Sequence, residues 1–220
     1  MANQANRSRP RRSDGEQTYA AILDAAVRLA SIEGLGGLTI GRLAQEVGVS
    51  KSGLYAHFGS KRQLQHDVIR KAREIFDREV IERGMAAPEG IARFEAVCEA
   101  YLSYIERRVF PGGCFFAGML AEFDAQSGAA AHDEVAADQR DWVDLLHGLA
   151  TVARKSGELD ADADIDQLVF DVTAAVELAN YYSVLFGDDT AIDRGRTAIR
   201  TAIGRAGGSP SDAPKRVADR

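Results

Sequence analysis

The sequence predicts an all-α protein, and three observations carry that expectation. Apolar residues recur at i, i+3, i+4 and i+7 along most of its 220 residues. No run of useful length alternates apolar with polar residues as a half-buried strand would. The five prolines, at positions 10, 88, 111, 210 and 214, leave long proline-free stretches in which helices can run. With 45% hydrophobic and 27% charged residues the chain can bury a real core, and its length allows one large domain or two small ones.

About nine helices follow in order. Residues 1–14 form an arm expected to be disordered, with Arg7, Arg9, Arg11 and Arg12 and no apolar residue among them. From Glu16 to Glu33 the apolar stripe is Tyr19, Ile22, Leu23, Ala26, Val27 and Ala30, closed by Gly34, Gly36 and Gly37. Thr39 caps a short helix holding Ile40, Leu43, Ala44 and Val47, and Gly48 stops it. Ser50 caps a third helix with Leu54, Tyr55 and Phe58, ended by Gly59. Ser60 caps a fourth that runs through Leu64, Val68, Ile69, Ala72, Ile75 and Phe76 to about Arg83.

Pro88 is placed at the start of a fifth helix that ends before Pro111. A short sixth covers Cys114 to Phe123. Residues 131–156 and about 165–186 form two long helices, a last helix covers roughly 189–205, and a polar tail follows over 207–220. Asp160, Asp162, Asp164 and Asp166 alternate without the glycine and terminal glutamate of a calcium loop, and read as a solvated entry favouring the next helix N-terminus.

Charge is unevenly distributed. Residues 1–66 carry 9 basic and 5 acidic side chains, whereas the other 154 carry 18 basic and 28 acidic. A module of net +4 on a body of net −10 points to a nucleic-acid-facing unit joined to an acidic one. The two cysteines, Cys98 and Cys114, build no disulfide framework and fit free thiols in a reducing compartment. No run of 18 or more apolar residues is present and no apolar core follows the Arg-rich start, so a cytoplasmic protein with no membrane partner is expected. The four histidines (His57, His66, His132 and His147) form no metal or hydrolase motif, and no Gly-rich phosphate loop occurs. No catalytic residue, metal or cofactor is assigned.

The strongest signal is the pair of short helices Thr39–Val47 and Ser50–His57. A recognition helix presents its first turn to the major groove, and that turn here is the small, polar run Ser50-Lys51-Ser52-Gly53. The whole stretch from Thr39-Ile40-Gly41-Arg42-Leu43-Ala44 through Val47-Gly48-Val49-Ser50 to Leu54-Tyr55-Ala56-His57-Phe58-Gly59-Ser60-Lys61 resembles the signature of the tetracycline-repressor (TetR) family. The likeness is dense over residues 16–66. Beyond residue 70 only length, helical character and element order agree.

The resemblance implies a three-helix, helix-turn-helix DNA-binding domain over 1–62 and an effector and dimerisation domain over 63–206. Lys51 and Ser52 can reach base edges, and Gly53 lets the helix backbone approach the duplex. On the family pattern Tyr55 and His57 donate to phosphates, and Thr39 and Lys61 add phosphate contacts. Arg42 reaches either a phosphate or a base. Phe58, Leu43, Ala44, Val47, Val49 and Leu54 are assigned to packing, and the arginine arm either tracks DNA or is simply solvated.

The family likeness also implies a pocket framed by helices four to eight, with candidates Phe94, Tyr101, Phe116, Met119, Phe123, Trp142 and Leu146. Thr173, Glu177 and Asn180 either line that pocket or lie across a dimer seam. Cys114 is either a reactive sensor or an inert buried thiol. The expected function is a ligand-responsive regulator, a repressor acting as a homodimer on a palindromic double-stranded operator and released by a small hydrophobic or aromatic effector. The last two long helices (165–205), and possibly 131–156 with them, supply the dimer bundle, and the fourth helix is the mechanical link. The alternatives are an activator or architectural DNA-binding protein without a ligand, and a helical enzyme or adaptor that has lost DNA binding.

Overall fold

A computed structural model describes residues 11–123, 130–188 and 190–209, and the described residues form helices joined by turns. The first ten residues of the arm and the tail beyond Ser209 lie outside the described residues, as do the side chains of 120–131. Helix α1, Arg11–Gly37, starts earlier than the expected Glu16 and is broken at Gly34 (φ 78°, ψ 160°). Helices α2 (Ile40–Val47) and α3 (Lys51–Phe58) follow as a tight pair.

Side-chain caps fix where these helices begin. Thr39 Oγ1 accepts from Arg42 N at 3.1 Å, Ser50 Oγ from Gly53 N at 3.1 Å, and Ser60 Oγ from Gln63 N at 3.1 Å. Each satisfies a helix N–H that has no partner within its own helix and contributes about 1 kcal/mol. Gly48 at φ 68° turns the chain between α2 and α3 in a left-handed conformation that other residues adopt with strain.

The fourth helix, α4, covers residues 61–85 and departs from the expectation in its interior. It runs as α-helix over Lys61–Phe76, as π-helix over Asp77–Glu82, and ends in Arg83–Met85. The remaining helices are α5 (Ile91–Glu106), α6 (Phe115–Phe123), α7 (Ala130–Lys155), α8 (Ile165–Leu185) and α9 (Ala191–Arg205). Pro88 stands in the turn before α5 rather than at its first residue, which is Ile91. Asp164, in the acidic run, caps α8 by accepting from Gln167 N at 3.0 Å.

One continuous apolar core joins the small N-terminal bundle to the larger body. Val27, Leu43, Leu54, Leu64 and Val68 close the bundle of α1–α4 with no exposed surface, each contributing roughly 1.5–3 kcal/mol by burial. Tyr19 on α1 donates to the buried Asp67 on α4 at 2.8 Å, and Asp67 also receives Gln63 Nε2 and pairs with Arg70. Helix α4 packs on α1 at one end and on α5 and α7 at the other.

Helix α8 qualifies the membrane expectation. Its 21 residues are long and apolar enough to span a bilayer by length and composition alone, the one such helix among the described residues. Ile165, Leu168, Val169, Val172 and Val176 are core, while Phe170, Leu178, Tyr181 and Leu185 remain exposed along one stripe. Asp166, Asp171 and Glu177 interrupt its apolar run, which is why counting consecutive apolar residues passes over it.

The crossing of α4 and α5 yields a test. A Cβ on Gly84 would lie 2.5 Å from Val97 Cα, backbone that cannot swing aside. Gly84→Ala is expected to lower unfolding stability by about 1–3 kcal/mol, whereas Gly204→Ala, where an added Cβ meets nothing within 4 Å, leaves it unchanged or raised. Thermal unfolding of the two variants checks this; equal melting temperatures would contradict the close crossing.

Candidate nucleic-acid interface and ligand cavity

The α2–α3 pair exposes one polar surface. Thr39, Ser50, Lys51, Ser52, Tyr55 and His57 are exposed, with Tyr55 53% accessible, while Leu54 and Phe58 on the same helix are buried. Ser52 and Tyr55, three apart, and Lys51 and Tyr55, four apart, share a face. Lys51 Nζ and Thr39 Oγ1 lie 3.4 Å and 3.9 Å from where a Cβ on Gly41 would sit, so the lysine lies across the start of α2 beside the threonine. Ser50 Oγ stands 3.1 Å from Ser52 Oγ while capping α3. Gly53 sits under that cap, where an added Cβ would meet Val49 Cγ1 at 3.1 Å and Ser50 Oγ at 3.2 Å. The glycine therefore serves the turn as well as any approach to DNA.

Two predicted contacts are already engaged within the protein. Arg42 pairs with Glu33 at 2.8 Å and with Glu46 at 3.0 Å, and these hydrogen bonds raise its pKa further. Reaching a base or phosphate requires it to leave two carboxylates, so its first role is to tie α2 to α1. Lys61 Nζ donates to Gly36 O at 2.8 Å at the end of α1, which leaves its other two N–H groups for a phosphate. The His57 ring lies 6.1 Å from Tyr19 and 6.5 Å from Phe58, on the rim of the bundle core.

A cleft of about 170 Å³ opens in the body between α4, α5, α6 and α7. Of the predicted pocket residues it brings together Tyr101, Phe116 and Trp142. Phe94, Met119 and Leu146 are instead buried in the core away from it, and Leu145 takes the lining position on α7. Leu146, about 100° further round the helix than Leu145, turns into the core instead. The Phe123 side chain lies outside the described residues.

Sequence reading missed the α4 wall (Arg73, Phe76, Asp77 and Ile81) and the α7 acids Asp138 and Asp141. Phe76 packs edge-to-face on Tyr101 at 5.2 Å, on Trp142 at 5.8 Å and on Phe116 at 5.9 Å. Arg73 pairs with Asp138 and, at 2.7 Å, with Asp141. The phase of Phe76 on α4 was a usable signal; the charged pairs, more than 60 residues apart in sequence, offered none.

Behind the cleft, the Tyr101 hydroxyl lies 2.9 Å from Cys114 Sγ and 3.2 Å from Glu177 Oε1, and Asn180 Oδ1 accepts from Cys114 N at 2.9 Å. Glu177 and Asn180 thus face inward, toward the cleft-lining Tyr101 and the start of α6. The half-buried Thr173 keeps a buried hydroxyl with no partner among the described residues. Burial pushes the Cys114 thiol up to about 12, the opposite of what a reactive thiolate needs. Arg107, seven residues before it, pairs with Glu79 at 3.0 Å. Burial also raises the Glu177 carboxyl above its ordinary value, against a smaller opposing effect of the Tyr101 hydrogen bond.

The profile described as "Bacterial regulatory proteins, tetR family" matches residues 22–68, the α1–α4 bundle that presents the polar surface. The profile "Tetracyclin repressor-like, C-terminal domain" matches residues 90–199, half of the chain. The chain belongs to the TetR family of transcriptional regulators. Its role is therefore DNA-binding regulation and not catalysis.

Solved structures share the fold of this TetR-family chain. A TetR transcriptional regulator from Chloroflexus aurantiacus J-10-FL has a TM-score of 0.80 at 23% identity, covering 88% of this chain and 97% of its own. AibR, in complex with isovaleryl coenzyme A and operator DNA, has a TM-score of 0.67 at 21% identity, over 83% of this chain and 96% of its own. A transcriptional regulator from Saccharomonospora viridis in complex with choline has a TM-score of 0.68 at 21% identity, over 86% and 96%. No curated protein matches the sequence.

The Glu177 environment makes a pH-dependent prediction. A carboxyl whose folded pKa is raised leaves stability intact below its unfolded pKa of about 4.3 and costs stability as pH rises through the folded value. Glu177→Gln keeps an acceptor for Tyr101 and cannot ionise. As pH rises above that unfolded value the native protein should lose stability relative to this variant in urea unfolding; parallel profiles would contradict the assignment.

Proposed function

We propose that this TetR-family regulator represses transcription by binding a palindromic operator as a homodimer, and that a small effector in the α4–α7 cleft releases it. The observation that carries the reading is the double duty of α4. Its N-terminal half closes the DNA-binding bundle through Leu64, Asp67 and Val68, and its C-terminal half lines the cleft through Arg73, Phe76 and Asp77. A ligand that moves one end of this helix moves the other. For a 100-fold loss of operator affinity the ligand must favour the misfitting arrangement by roughly 2.7 kcal/mol.

Supporting the dimer, Phe170, Leu178, Tyr181 and Leu185 of α8 leave an apolar stripe exposed, with Val143 and Val152 of α7 also uncovered. A monomer seldom leaves such a contiguous face to water, and a second copy can cover it. One helix-turn-helix reads only a few base pairs, so two are needed for useful affinity. Supporting the effector, the cleft is walled by the four aromatic rings of Phe76, Tyr101, Phe116 and Trp142 beside a small set of charged side chains, and two structural neighbours are complexed with small organic molecules.

Selection of the purified protein against random duplex DNA, followed by a salt titration of the enriched sequence, tests the reading. A palindrome whose binding falls steeply with salt is expected; no enriched sequence and salt-insensitive binding would overturn it. On that palindrome Tyr55→Ala should weaken binding to every sequence alike, whereas Lys51→Ala should relax preference at one position, by about 1–3 kcal/mol. Leu178→Asp, in the middle of the apolar stripe, should sediment as a monomer and lose operator binding; an unchanged dimer would place the interface elsewhere.

A further inference from the structure

The cleft combines two features that select a ligand by charge. Its walls carry Phe76, Tyr101, Phe116 and Trp142. Tyr101 and Trp142 stand edge-to-face at 5.1 Å and 89°, and Phe76 is close to perpendicular to both. Four aromatic side chains therefore border one space. Ring faces carry negative quadrupole density and attract cations within about 6 Å of the centroid.

The second feature is the acid surplus at the mouth. Asp77, Asp138 and Asp141 line the cleft against the single cation Arg73, which is shared among all three. Asp77 is held above the usual carboxylate range first by burial, with Glu82 and Asp141 adding to the rise against the pull of Arg73.

We propose that the effector is a compact organic cation, an alkylated ammonium on a small apolar frame, that fills the aromatic-walled cleft and competes with Arg73 for Asp138 and Asp141. The inference rests on the effector reading above and gives it a chemical class. It also supplies the coupling: Arg73 is on α4 and both aspartates are on α7, so a cation that takes the carboxylates releases α4 from the body. A neutral ligand of the same shape gains the apolar contacts but leaves the Arg73 joint in place.

Trp142 is the only tryptophan and lines the cleft, so fluorescence of the full chain reports occupancy directly. The probes are benzyltrimethylammonium, its neutral carbon isostere neopentylbenzene, and the anion phenylacetate. Saturable quenching by the cation is expected, with affinity about tenfold or more above the neutral isostere and no saturation by the anion. The Asp138→Asn/Asp141→Asn double variant should weaken the cation about tenfold, and Arg73→Gln, which removes the competitor, should tighten it about threefold or more. The opposite signs separate competition from general damage to the fold, and Arg73→Gln carries the test alone if the double variant does not fold. Equal binding of cation and isostere would overturn the charge assignment while leaving the effector cleft standing. Cation binding unchanged in both variants would overturn the competition with Arg73. Failure of all three probes to saturate would overturn the cleft as an effector site altogether.

Discussion

Helix α4 is held from two sides, and the rest of the molecule is arranged around that constraint. On the DNA-binding side Tyr19, Gln63 and Arg70 converge on the buried Asp67, and Gln65 donates to Leu35 O at 3.0 Å. On the body side Phe76 packs edge-to-face on Tyr101, Tyr104, Phe116 and Trp142, while Arg73 bridges to Asp138 and Asp141. Each aromatic pair contributes about 0.5–1.5 kcal/mol beyond burial, so a single ring on α4 organises much of the cleft wall. The charged joint beside it is partly exposed and individually weak. That weakness suits the opening proposed for this joint: the rings fix where α4 sits, and the ions bias how firmly it stays.

The charge division gains a physical meaning on this scaffold. The basic excess of residues 1–66 belongs to the DNA-binding module, and three acids of the remaining residues, Asp77, Asp138 and Asp141, line the cleft. The π-helical stretch Asp77–Glu82 begins immediately after Phe76. It shifts the helical phase so that Ile81 and Asp77 both line the cleft while Val80 remains in the core. An ordinary α-helical register over these residues would present a different set, and π-turns of this kind are recurrent at functional sites.

Helix starts marked by a side-chain cap were legible because that signal is local, whereas the starts of α1 and α5 were misplaced by several residues. Thr39, Ser50, Ser60 and Asp164 each cap the helix that follows within three residues of themselves. The exposed polar turn of α3 was legible for the same reason, together with its family likeness. The cleft was legible only in part. Aromatic content pointed to Tyr101, Phe116 and Trp142, but helical phase separates Leu145 from Leu146, and no periodicity reveals a π-turn. Arg42 shows the limit on the DNA-binding side: its place in the motif suggests a nucleic-acid contact, yet Glu33 and Glu46 hold it, and such pairing across helices leaves no trace in a local pattern.

In the proposed dimer the α4–α7 joint sets the separation of the two recognition helices. Ala56 is exposed on α3, whereas Cys98 and Cys114 are buried, so an Ala56→Cys variant accepts a spin label at one chosen site per protomer. The measurement is the distance distribution between the two labels by pulsed electron paramagnetic resonance, with Arg73 intact and with Arg73→Gln. The account predicts that breaking the joint displaces or broadens the distribution. An identical distribution in the two proteins, both dimeric and folded, would contradict it.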